Sequence, residues 1–117
     1  MVLMTAEQLT ALVEGGLEDA KAHGVVVMDV RDRTTVTDFI VVATGTSSRH
    51  VRAIAEQIVE RVKRARGRVL GVEGEETGEW VLLDLGDAVV HVMQAETRAF
   101  YDLEQLWQTE TPSAQGA

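Results

Sequence analysis

Apolar positions along the chain fall into runs of distinct period, and each run predicts an element. Leu9, Leu12, Val13, Leu17 and Ala20 recur at helical spacing behind Thr5-Ala6-Glu7-Gln8, which has the form of a capping box. A first helix over residues 5–22 is predicted, ended by Gly24. "VVVMDV" (residues 25–30) and "FIVVATG" (residues 39–45) are continuous β-branched runs, the pattern of strands buried on both faces. The polar "RDRTTVTD" between them is a turn. From Ser48 the helical period returns, with Val51, Ile54, Ala55, Ile58 and Val62 on one stripe facing a sheet and Gly67 predicted as the C′ residue that closes the helix. "VLGV" (residues 69–72) is a third strand, and "EGEETGE" after it is an acidic connector with no core residue.

"WVLLDLGDAVVHVM" carries the most information. Gly86-Asp87 between two apolar runs predicts a two-residue hairpin turn. The opposed pairs are then Leu85/Ala88, Asp84/Val89, Leu83/Val90, Leu82/His91, Val81/Val92 and Trp80/Met93. Alternation puts Val81, Leu83, Leu85, Ala88, Val90 and Val92 on an aliphatic core face. Trp80, Leu82, Asp84, Val89, His91 and Met93 share the other. That mixed face is either covered asymmetrically by helices, with Asp84 and His91 obliged to find partners, or partly exposed as the apolar centre of an interface with a charged rim. The second arrangement fits better, because tryptophan is frequently a hot spot and the connector before it supplies Glu73, Glu75, Glu76 and Glu79. Phe100, Leu103, Leu106 and Trp107 mark a closing helix from about Ala95, and residues 108–117 read as a flexible polar tail.

The predicted order is α-β-β-α-β-β-β-α: an α/β (α+β) single domain over residues 1–107, with a mixed five-stranded sheet and helices packed on it. A length of 117 residues suits one core. Composition changes this picture in three ways. The absence of cysteine, and the spacing of His23, His50 and His91, exclude thiolate and histidine metal sites. No basic flank or long apolar run marks a signal or a membrane span, so a cytoplasmic protein is expected. The net charge of −8 is also uneven: residues 69–117 hold Arg98 alone against ten carboxylates. An acidic half of this kind repels phosphate backbones and attracts a basic protein. The cations gather instead at the end of the second helix, where Arg61, Lys63 and Arg64 complement the helix dipole; contact with rRNA or another phosphate group is their second reading.

"TGTSSRH" (residues 44–50) leads a strand into a helix through small hydroxyl residues, as a phosphate loop does. It lacks the P-loop lysine and the dinucleotide fingerprint. Ser47 suffices as an N-cap. The strand-glycine-hydroxyl-helix unit also resembles the nucleotidyltransferase fold, in which Thr46, Ser47 and Ser48 would surround a triphosphate. That chemistry needs paired acids on the next strand to hold magnesium. The next strand offers none, since Glu73 and Glu75 lie beyond it.

"VMDVRDRTTVTDFIVVATGTSSRHVRAIAEQI" and "GVEGEETGEWVLLDLGDAVVHVMQAETRAFYDLEQLW", in that order, closely resemble the ribosomal silencing factor family, also called Iojap-like, over residues 9–107. The resemblance implies a non-catalytic protein without metal or cofactor, built on a nucleotidyltransferase-like sheet whose catalytic acids are missing. It implies binding to the large ribosomal subunit through ribosomal protein L fourteen, a basic protein of the subunit interface, steric exclusion of the small subunit, and repression of translation when nutrients are short. It also implies a capacity to form homodimers. Together with the face alternation it points to Trp80, Leu82, Asp84, His91 and Met93 as partner-binding residues, with Glu73 and Glu79 at the rim and Tyr101 from "FYDLE".

Overall fold

Strand order, more than strand composition, decides where the core sits. The computed structural model describes residues 4–107. It joins β1 (His23–Asp29), β2 (Phe39–Gly45), β3 (Gly71–Glu73), β4 (Trp80–Asp84) and β5 (Ala88–Gln94) in one sheet of order β1-β2-β5-β4-β3. β2 and β5 pair in parallel at its centre, and the other neighbours are antiparallel. Helices α1 (Ala6–Asp19) and α2 (Ser48–Arg64) pack on one face, while α3 (Ala95–Tyr101) and α4 (Leu103–Trp107) follow β5. The α+β class and the mixed five-stranded sheet agree with the sequence pattern; the closing helix is divided in two. The polar end, residues 108–117, lies outside the described residues. Among the described residues no helix is long and apolar enough to cross a membrane.

The capping box at Thr5 forms as its sequence predicts. Thr5 Oγ1 accepts from the Gln8 N–H at 3.0 Å, and Gln8 Oε1 accepts from the Thr5 N–H at 2.8 Å. Both long helices end differently from expectation. α1 is closed by Lys21 at φ 63°, with the Lys21 N–H on the Glu18 carbonyl and the Ala22 N–H on the Leu17 carbonyl, so Gly24 does not end it. α2 is closed by Arg66 at φ 67°, and the Gly67 N–H bonds to the Val62 carbonyl at 2.8 Å. In each case a pair of hydrogen bonds to otherwise orphaned carbonyls offsets a left-handed strain of about 1–2 kcal/mol. Gly67 serves packing instead: a Cβ there would stand 2.8 Å from Val62 Cγ1 and 2.9 Å from Met4 Cε.

The stripes of α1 and α2 meet the aliphatic face of the hairpin. Val13, Leu17, Val51, Ile54, Ile58 and Val62 are fully buried against Val41, Val81, Leu83, Val90 and Val92. Burying a side chain of this size contributes about 1.5–3 kcal/mol, so this layer dominates stability. β2 is buried along both faces as predicted. β1 is not: it is an edge strand with an irregular register between His23 and Val26, and much of it stays exposed. The opposite sheet face carries a smaller cluster of Met28, Val30, Ile40, Val42 and Met93, against which Val26, Trp80, Leu103 and Trp107 pack. That face is covered only in part.

Candidate functional site

The hairpin turn fixes everything on the partly covered face. Gly86 adopts φ 86°, the Leu85 N–H bonds to the Ala88 carbonyl at 2.9 Å, and Asp84 Oδ1 accepts from the Gly86 N–H at 3.0 Å. The observed register opposes Trp80 to Met93, Leu82 to His91 and Asp84 to Val89, as alternation predicted. Asp84 therefore serves the turn as well as the face. Leu82 and Asp84 are half-buried, while Glu73 and Glu79 are exposed at the border.

Trp80 is half-buried and held from two sides. Its Nε1–H donates to His91 Nδ1 at 3.0 Å, and its ring lies 4.8 Å from that of Tyr101 at a tilt of 51°. A tryptophan N–H is a donor only, so His91 is neutral with its proton on Nε2. Burial, at 8% exposure, pushes the imidazole down to about 4 and keeps it so. Met93 corrects the expectation of an exposed thioether: it is wholly buried, because Leu103 and Trp107 of α4 fold over the cluster to which it belongs. Met93 supports the face from beneath and His91 presents only an edge.

The chain reverses over this face at Asp102, whose φ of 47° breaks the predicted single closing helix. Arg98 holds the elbow closed. Its Nε and Nη2 donate to the two carboxylate oxygens of Glu104 at 3.2 and 2.8 Å, and Nη1 donates to Thr44 Oγ1 on β2 at 2.8 Å. The guanidinium holds the Glu104 carboxyl below its usual range. Two of the side chains that mark the closing helix are left facing outward. Phe100 is 79% exposed and Leu106 67%, and Phe100 stacks edge-on against Tyr101 at 4.9 Å, itself 54% exposed. Helical spacing marks Phe100 and Leu106 as apolar, but the break that turns them outward has no signal in that period.

Two donors of the hydroxyl loop and the helix start are taken up locally: the Thr46 N–H bonds to His50 Nδ1 at 2.9 Å, and the His50 N–H bonds to Ser47 Oγ at 3.0 Å. His50 is also tied across to the Ala20 carbonyl through Nε2 at 2.9 Å. A cleft of about 570 Å³ does open nearby, lined by His23, Thr44, Gly45, Thr46, Gln94, Ala95 and Glu96. Its lining contains a carboxylate and no lysine or arginine, the wrong balance for a triphosphate. Among the described residues no group of acids or histidines is gathered to hold a metal ion. Ser47→Ala is expected to lower stability by about 1 kcal/mol in urea unfolding, the worth of an N-cap. Titration with ATP and magnesium should give no saturable signal; one that this substitution abolished would restore the nucleotide reading.

The basic run lies on the other layer. Arg61 pairs with Asp19 and Arg64 with Glu60, while Lys63 is exposed. Since α2 covers the opposite side of the sheet from Trp80, Arg61, Lys63 and Arg64 are not brought together with the hairpin residues.

A family model described as "Ribosomal silencing factor during starvation" matches residues 4–116. The chain is 40% identical to the ribosomal silencing factor RsfS of Chromobacterium violaceum, over 94% of this chain and 90% of that one. It is 32% identical to the protein of the same name in Bacillus subtilis, over 89% and 88%. A mouse protein named mitochondrial assembly of ribosomal large subunit protein 1 is 34% identical over 78% of this chain and 41% of its own. Among solved structures, a Chromobacterium violaceum protein superposes with a TM-score of 0.89 at 39% identity, covering 93% of this chain and 91% of that one. A Bacillus halodurans protein gives 0.80 at 36%, covering 86% and 94%.

Proposed function

Because the chain belongs to the ribosomal silencing factor family, RsfS, we propose that it binds the large ribosomal subunit through ribosomal protein L fourteen and excludes the small subunit by occupying its place. Translation is thereby repressed with no chemistry of the protein's own. One observation carries this reading: a half-exposed tryptophan, clamped by His91 and Tyr101 on a partly covered sheet face, stands beside exposed Glu73 and Glu79. An aromatic anchor inside an acidic rim matches a basic protein surface. Leu82 and Asp84 extend the anchor along β4. A body with extents of 46 × 36 × 21 Å, docked there, is bulky enough to block subunit joining by its volume alone. On the far layer Lys63, with Arg64 and Arg61 beside it, is free to meet rRNA as a secondary contact. A homodimer formed through the Trp80 face would compete with the ribosome for it.

Co-sedimentation with purified large subunits, followed by a subunit-joining assay, tests this. The protein should travel with large subunits and reduce the yield of joined ribosomes. Reversing the rim with Glu73→Lys and Glu79→Lys should slow association several-fold and weaken its salt dependence, since exposed charges act mainly on encounter. Binding that ignores both salt and the reversal would remove the rim from the site.

A further inference from the structure

Resting on the reading of the Trp80 face as a docking surface, we propose that His91 is a positioning residue for that surface, acting on the partner through the Trp80 indole and not by contact. Three buried polar residues occur among the described ones: Thr10, Thr37 and His91. The two threonines are satisfied by backbone, Thr10 through the Ala6 carbonyl and Thr37 through the Gly86 carbonyl. His91 alone spends its hydrogen bond on a side chain of the candidate site.

Packing does not explain an imidazole at this place. The register neighbours of His91 are Val42 on β2 and Leu82 on β4, both aliphatic. A leucine or valine would fill that position without the desolvation cost of a buried polar ring. The imidazole supplies what an aliphatic residue cannot, an acceptor for the Trp80 N–H. Tyr101, at the end of α3 beside the elbow that Arg98 holds shut, packs against the same indole at 4.8 Å. With its N–H bonded and a second ring packed against it, the exposed part of Trp80 is fixed before a partner arrives. Immobilising a large side chain in advance removes an entropic cost that binding otherwise carries. A direct contact role for His91 fits poorly with its 8% exposure.

Two substitutions separate positioning from contact. His91→Leu keeps the volume and deletes the acceptor; His91→Asn keeps an acceptor near the place of Nδ1. Each is measured for large-subunit affinity by co-sedimentation and for solvent exchange of the Trp80 indole proton by NMR, alone and combined with Trp80→Phe. His91→Leu should accelerate indole exchange and weaken affinity, each about tenfold, and His91→Asn should recover most of both. In the Trp80→Phe background His91→Leu should change affinity no further, because the route through the indole is already gone. Unchanged affinity in His91→Leu, or an equal loss with and without the indole, overturns the proposal. If His91→Leu does not fold, failure of His91→Asn to protect the indole proton overturns it equally. A parent protein that does not bind large subunits removes the docking reading itself, an outcome distinct from these because the indole exchange still responds to His91.

Discussion

Trp80→Ala is expected to weaken binding to the large ribosomal subunit by about thirtyfold or more while the fold persists. A buried aromatic anchor at the centre of an interface is commonly worth about 2 kcal/mol or more on truncation, which converts to that factor. The expectation depends on how Trp80 is held. Its Nε1–H is bonded to His91 and its ring to Tyr101 at 4.8 Å, so the exposed part is rigid and the loss is not softened by repacking. Stability should change less than affinity. The layer formed by α1, α2 and the aliphatic hairpin face does not include Trp80, which packs only beside the smaller cluster. Parallel titrations by co-sedimentation and far-UV thermal melts separate the two quantities. An affinity equal to that of the parent, in a folded variant, would move the docking site away from the hairpin.

How far the sequence reached depends on whether the deciding information was local. The hairpin register was legible because a two-residue turn at Gly86-Asp87 fixes every pair that follows, and alternation then assigns each side chain to a face. The capping box at Thr5 and the N-cap at Ser47 were legible for the same reason: donor and acceptor lie three residues apart. Strand order is not local. "VVVMDV" reads like a central strand, yet β1 ends up at the edge because β5 takes the other side of β2. The helix ends were misplaced onto Gly24 and Gly67 because a left-handed C′ residue is usually glycine, whereas Lys21 and Arg66 accept the strain here.

The candidate site shows the same division. Alternation placed Met93 on the correct face, but its burial is decided by α4, which returns over the sheet only because the chain reverses at Asp102 and Arg98 grips Glu104. No period in the sequence announces that reversal. Phe100 and Leu106 mark the closing helix by their apolar spacing, yet both are exposed. The basic run of α2 was legible as a charge cluster, but its place on the opposite layer from Trp80 follows from the sheet.

Lowering the pH from about 6.5 to about 4 should remove about 3 kcal/mol of folding stability through His91 alone. Burial brings this imidazole down from 6.5 to about 4 in the native protein, while the unfolded chain titrates near the ordinary value. Between those values the unfolded state holds a proton that the native state refuses, so stability rises with pH across the window and is flat above it. The ionisable groups on the surrounding elements are Glu73 on β3, Asp84 on β4, Glu96, Arg98 and Tyr101 on α3, and Glu104 on α4; burial is the one cause of the shift, so none of them offsets it. Carboxylates act lower. Arg31 holds Asp29 at about 2, a contribution lost as pH falls below the usual 3.8, and Glu7 and Glu104 are likewise held below 4.5. Urea midpoints between pH 4.5 and 6.5 therefore report mainly on the imidazole. The parent should lose stability through this interval and His91→Leu should lose much less; equal slopes would show that His91 is not held neutral by its surroundings. A second proton would have to enter at Nδ1, the atom that accepts from Trp80. Acid should therefore release the indole along with the stability, and Trp80 fluorescence in a Trp107→Phe protein should shift over the same interval.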